Sequence, residues 1–196
     1  VYDRPWDVLV VLDACRADLL QSVASDYEFL ETVESVQSVG SSSSEWLENT
    51  FQGNSEASET VMVTGNTWTD RYLDADAFGA LDEVWKYAWD DDRGTVPAEA
   101  VTDRAIAMAR RHGPDRLVVH YMQPHHPFVP DPLADDDGMV RSGSHSSHAN
   151  PWVSLRKGSV SRDRVWAAYE ANLRYALQSV AVLLENVSGR VALTAD

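Results

Sequence analysis

The chain predicts an α/β fold, a mainly parallel sheet with helices on both faces, and three observations carry that expectation. Two short, almost purely apolar runs, residues 8–12 and 191–195, have the length and β-branched content of strands buried on both sides. Helix-periodic segments alternate with runs of this kind, as in sheets built from βαβ units. Both runs deliver an aspartate at their C-terminal tip, Asp13 and Asp196, where open α/β sheets place their chemistry.

In chain order, residues 8–12 form the first strand. Residues 16–24 follow as a helix with Leu19, Leu20 and Val23 on one face. Residues 33–39 read as a second strand, and 40–44 as a small-residue turn before a short helix over 45–51. Val61, Met62 and Val63 make a third strand, closed by Gly65 and Asn66. Residues 70–95 are acidic and aromatic, with Trp85, Tyr87 and Trp89 alternating near a strand-like stretch; packing is the reading preferred for these rings over stacking on a sugar. Pro97 suits the first position of a helix running to His112. Residues 116–121 are a strand. Residues 123–160 hold Pro, Gly, Ser, Asp and His without periodicity and read as a long loop or lid. Ser161 caps a long helix reaching Glu185, with Val165, Ala168, Tyr169, Leu173, Ala176, Leu177, Val180 and Leu184 as its apolar stripe. The last strand follows Gly189.

Composition narrows the classes. The chain has 31 acidic against 16 basic residues, a net charge of -15 and a pI near 4.6. Lys86 and Lys157 are its only lysines. Abundant Asp with scarce Lys keeps a protein hydrated in concentrated salt and resembles haloarchaeal proteins. Such a charge argues against non-specific nucleic-acid binding, which needs basic surface. Cys15 is the single cysteine, so no internal disulfide is expected. No apolar run has the ~18 residues of a membrane span, and a cytoplasmic location is expected. The 196 residues suffice for one domain. Because the chain starts on Val and stops at a strand tip, residues 1–196 read as a single catalytic domain, incomplete at its C-terminus.

Three constellations bear chemistry. Asp13, between a strand and a helix, is either an N-cap or a metal ligand. Arg16 and Asp18 read as surface residues, and Cys15 as a small apolar one. The serine run 41–44 lies where a helix N-terminus exposes free N–H groups that favour an anion, and a cation on one of these hydroxyls would make it a nucleophile. His125 and His126, bracketed by Pro124 and Pro127 beyond a strand, suit metal ligation, anion binding or proton transfer. His145 and His148 read as solvated loop residues.

Taken in order, these pieces resemble the alkaline phosphatase superfamily, and its sulfatase-like hydrolase branch most closely. Residues 8–18 are similar to the family's first metal motif, 41–51 to its nucleophile segment, 124–128 to its Pro-His-x-Pro-Tyr motif, and 191–196 to the strand before its Asp-His-Gly motif. The resemblance implies a three-layer sandwich and a divalent ion (Mn, Zn, Mg or Ca) held by Asp13, Ser43 and Asp196. It also implies a His after Asp196. Ser43 takes the nucleophile's place, with Ser42 and Ser44 left open, and His125, with His126 beside it, faces the substrate's anionic group. Glu45 and Trp46 depart from many members. The signature that directs formylglycine formation is absent, so a formylglycine-type sulfatase is not expected. The implied activity is hydrolysis of a phosphate or sulfate ester of a small molecule or glycan through a seryl intermediate. The alternatives are a phospho-group transferase of the same fold acting on a glycan or lipid head group, a non-catalytic binding domain and, more weakly, a flavodoxin-like regulatory domain.

Overall fold

A computed structural model describes residues 1–134, 139 and 150–196. Its centre is a five-stranded sheet of order β3-β2-β4-β1-β5, with every pair parallel. The strands are β1 (Val8–Leu12), β2 (Thr60–Thr64), β3 (Ala80–Glu83), β4 (Arg116–Tyr121) and β5 (Val191–Thr194). β1 and β2 are buried at every position. At about 1.5–3 kcal/mol per fully buried aliphatic side chain, burial of this kind is the main term holding the sheet together.

The helices are α1 (Ala17–Val23), α2 (Ser43–Phe51), α3 (Thr69–Tyr72), α4 (Ala98–His112), α5 (Pro151–Lys157) and α6 (Arg162–Asn186). They divide between the two faces of the sheet. Val8, Val10, Leu12, Leu117, Val119 and Tyr121 turn toward α1, α4 and α6. Leu9, Val11, Met62 and Val118 turn the other way, toward Trp46, Leu47 and Phe51 of α2. This alternation is the period of two of an extended strand, and it decides below which residues meet.

Several expectations need correction. Residues 33–39 form no strand: Val33, Val36 and Val39 recur every third residue, and Val36 and Val39 are 59% and 54% exposed. The strand in the acidic-aromatic region is Ala80–Glu83, and Trp85 follows it in a 3-10 turn, packed in the core. Pro97 is the N-cap of α4, not its first helical residue. Within 123–160, α5 is helical, capped by the Asn150 side chain on Val153 N; His145 and His148 lie outside the described residues. On α6, Ser161 caps Arg164 N as expected, but Leu183 rather than Leu184 is buried, and a polar residue, Asn172, joins the stripe. Among the described residues, no helix is long and apolar enough to cross a membrane.

Candidate metal centre

Because all strands run the same way, their C-terminal tips share one edge. Parity then selects the side chains. Asp13 continues the Leu9–Val11 series, His120 the Val118 series, Asp196 the Ala192 series and Asn66 the Met62 series, all on the α2 face. His120 lies level with Thr64 and Val11, and Val11 with Thr194, so the imidazole is a floor one step beneath Asp13 and Asp196.

The resulting group is compact. His120 Nε2 is 3.7 Å from Asp13 Oδ2 and 3.7 Å from Asp196 Oδ2, and one donor atom from each residue falls within 4.8 Å of the others. All three side chains are buried, at 0–3% exposure. Asn66 Nδ2 donates to Asp13 Oδ2 at 2.7 Å, and Ser43 Oγ donates to the same oxygen over a long 3.4 Å. Ala14 N donates to Asp196 Oδ1 at 2.8 Å. Asp196 Oδ2 and both ring nitrogens of His120 are buried without a hydrogen-bond partner. Such orphaned donor atoms, converging from three strands, are what a divalent cation would satisfy.

The two carboxyls are driven apart electrostatically. Burial pushes Asp13 up, but the His120 imidazole, the charge of His125 and the Asn66 amide outweigh it and hold the group below its ordinary value. Asp196 is raised, first by burial and then by the charge of Asp13. Among the described residues no Lys or Arg pairs with either carboxylate.

The turn after β1 is held from several sides. Ala14 adopts φ 56°, a left-handed conformation that costs a non-glycine residue roughly 1–2 kcal/mol. Its carbonyl accepts from the Tyr169 hydroxyl, and Arg16 N donates to that hydroxyl at 3.2 Å. Asp13 is not the cap of α1: that position is Arg16, without a side-chain cap. Arg16 and Asp18 pair with each other on the surface. Burial and the charges of Asp18 and Asp196 push the Cys15 thiol up to about 12, which favours the neutral thiol, as suits a small apolar residue.

The serines separate by role. Ser42 is the N-cap of α2, its hydroxyl accepting from Glu45 N and bonded to Ser44 Oγ at 2.9 Å. Ser41 N and Oγ both donate to Glu45 Oε2, at 2.7 and 2.6 Å. Only Ser43 directs its hydroxyl to Asp13. Gly40 lets the chain cross the first turn of α2, since a Cβ there would stand 2.4 Å from Trp46 N. Trp46 in turn sets its ring edge-on to His120, centroids 5.7 Å apart.

His125 and His126 stack at 4.5 Å, and neither belongs to the carboxylate–imidazole group. His125 N donates to Asp13 O at 3.0 Å, and His125 Nδ1 lies 2.5 Å from His126 O. Asn172, fully buried on α6, fixes this loop: its Nδ2 donates to the carbonyls of Pro124, His125 and Pro127 at 3.2, 2.9 and 3.3 Å, and its Oδ1 accepts from Val129 N at 3.0 Å.

Asp13, Ser43 and Asp196, chosen from sequence, therefore converge. Sequence reasoning missed His120, Asn66 and Asn172. For His120 a signal existed, a titratable residue near the tip of an otherwise apolar strand. Compared with known proteins, the chain matches no family model, no curated protein and no solved structure.

Proposed function

We propose that the domain is a divalent-metal-dependent hydrolase of phosphate or sulfate esters, of the alkaline-phosphatase-like sandwich type, acting through Ser43. The observation that carries this reading is the placement of the Ser43 hydroxyl at the N-terminus of α2 and 3.4 Å from Asp13 Oδ2, beside the Asp13–His120–Asp196 group. Asp13 and Asp196 would hold the cation, which when bound would lower the pKa of the serine hydroxyl and offset charge on the ester's non-bridging oxygens.

The remaining roles belong to the chain. Asp13, ionised at neutral pH, orients the hydroxyl and takes its proton on toward solvent as Oγ bonds to phosphorus or sulfur. The ester's bridging oxygen leaves and collects a proton from water or from His125. Water then attacks the phosphorus or sulfur of the seryl ester and gives up a proton, the bond to Oγ breaks, Oγ takes up a proton to restore the Ser43 hydroxyl, and inorganic phosphate or sulfate leaves. The N–H groups of Ser43 and Ser44, in the first turn of α2, have no acceptor among the described residues and suit an anionic group. An anionic ester would otherwise meet two carboxylates on a chain of net charge -15, which is why the reading requires a cation.

The full chain should be assayed on aryl phosphates and aryl sulfates, with each of Mn, Zn, Mg and Ca, in dilute and in concentrated KCl. Ser43→Ala should lower turnover at least about 10³-fold while leaving the circular dichroism spectrum unchanged. Acid-quenched label from substrate should sit on Ser43. Retained turnover would dismiss Ser43. Transfer of label to added alcohols in preference to water would make the enzyme a transferase.

A further inference from the structure

We infer that His120 is itself a ligand of the cation centre, through Nε2, and that its imidazole biases the centre toward zinc-class ions over calcium or magnesium. The inference rests on the proposed function only in taking Asp13 and Asp196 as cation ligands; it requires nothing of Ser43.

Four observations support it. First, His120 is fully buried and neither ring nitrogen has a hydrogen-bond partner, although an unpaired buried polar group costs about 1–3 kcal/mol. Second, the nitrogen that faces the carboxylates is equidistant from them, 3.7 Å from each. An imidazolium clamping two carboxylates would draw at least one of them to the ~2.7–2.9 Å of a charge-assisted bond. Donors sharing one ion with bonds of ~2.0–2.2 Å instead lie roughly 3.3–3.6 Å apart in a tetrahedral arrangement, close to the 3.7 Å of the two imidazole–carboxylate pairs. Third, the ring has little room to turn away: it is fully buried, with Trp46 edge-on to it at 5.7 Å. Fourth, no Lys or Arg among the described residues offsets the two buried acids. Imidazole nitrogen is a poor donor for calcium and magnesium, which take oxygen, and a good one for zinc.

The experiment uses the full chain stripped with chelator. Zinc and calcium affinities are measured by calorimetric competition, with the fluorescence of Trp46, isolated from the other six tryptophans as the difference from Trp46→Phe, as a second reporter because its ring is edge-on to the imidazole. Zinc should bind at least ~100-fold more tightly than calcium. The cobalt(II) adduct should show visible d–d bands, and the manganese(II) adduct nitrogen modulation in pulsed electron paramagnetic resonance. His120→Gln should weaken zinc by ~10–100-fold, leave calcium within about threefold, and abolish the nitrogen signal. His120→Asn serves if His120→Gln fails to fold. Equal affinities in the unmodified chain, or a zinc-to-calcium ratio unchanged by either substitution, would overturn the inference. Zinc binding with the His120 signature but no ester turnover leaves it standing and removes the proposed activity. Turnover supported equally well by calcium, without a nitrogen signal, does the reverse.

Discussion

Asp82 and Asp13 are both buried acids of the same sheet, at 9% and 1% exposure. Asp82, on β3, receives Arg104 Nε at 2.9 Å, Arg104 Nη2 at 2.5 Å and the Tyr87 hydroxyl at 2.6 Å. Asp13, at the tip of β1, faces a second carboxylate, an amide, a serine hydroxyl and an imidazole that bonds to neither acid. At the first site the chain supplies its own cation. At the second it gathers two carboxyls with imidazoles as the only basic groups near them and, among the described residues, no Lys or Arg. Uncompensated buried charge is expensive enough to be shed or neutralised, so the contrast separates an acid paired within the fold from two acids that no Lys or Arg of the described residues pairs, the group that could hold a cation.

The largest effect that would break this contrast comes from exchanging the two sites' roles. Asp13→Asn should weaken zinc binding at least ~100-fold and stop turnover, yet destabilise the cation-free protein less than Asp82→Asn does, because the favourable interactions of Asp13 with His120, His125 and Asn66 are offset in part by relief of its repulsion with Asp196. Asp82→Asn should do the opposite: cation affinity within about twofold, and a loss of about 1–2 kcal/mol in urea unfolding, kept modest because Arg104 is partly solvated. If Asp13→Asn destabilises the cation-free protein more than Asp82→Asn does, the acids at the strand tips are structural and the contrast fails.

Asn172 sharpens the comparison from the side of groups the chain satisfies in full. Its four hydrogen bonds tie three carbonyls and one amide of the 124–129 loop to α6. Asn172→Leu keeps the branching at Cγ but strands those groups, and should cost about 2–4 kcal/mol. It should also raise KM more than it lowers kcat, because His125 loses its support while Ser43 does not. An equal fall in kcat with KM unchanged would mean that the loop does not meet the substrate.

What could be read from sequence follows the same division. Asp13 and Asp196 are legible because each ends an apolar run, and local patterns need no knowledge of neighbours; the serine run is legible as a helix start, but the choice of Ser43 within it comes from the family resemblance, which leaves Ser42 and Ser44 open. The strands 8–12, 116–121 and 191–194 and the helices α4 and α6 were legible for that reason too. His120 was not assigned a role, since a histidine inside Leu-Val-Val-His-Tyr reads as part of the strand. Its meaning depends on β1 lying between β4 and β5 and on two registers agreeing in parity, which is non-local. Asn172 was hidden in an apolar stripe until the loop packed against it. Residues 33–39 misled because valines three apart suggest β-propensity while lacking the strand period.

The smallest expected effect tests whether the Asp82 site is as saturated as its distances imply. Burial, then the hydrogen bond and charge of Asp82, push the Tyr87 phenol up to about 12, from an ordinary value near 10. A group whose value is raised by folding contributes stability that is present below the unfolded value and lost as pH climbs through the folded one, so this contribution should fade between about pH 10 and pH 12. It is minor, because Tyr87 is 57% exposed and solvent screens the interaction. The measurement is the 295 nm absorbance titration, taken as the difference between the unmodified protein and Tyr87→Phe, since buried Tyr121 and Tyr169 are raised as well. Asp82→Asn should bring the midpoint of that difference down toward 10. A midpoint already near 10 in the unmodified protein would mean that Asp82 does not hold the phenol, leaving Arg104 as its only partner and narrowing the gap between the acid the chain neutralises and the acids it leaves exposed to a cation.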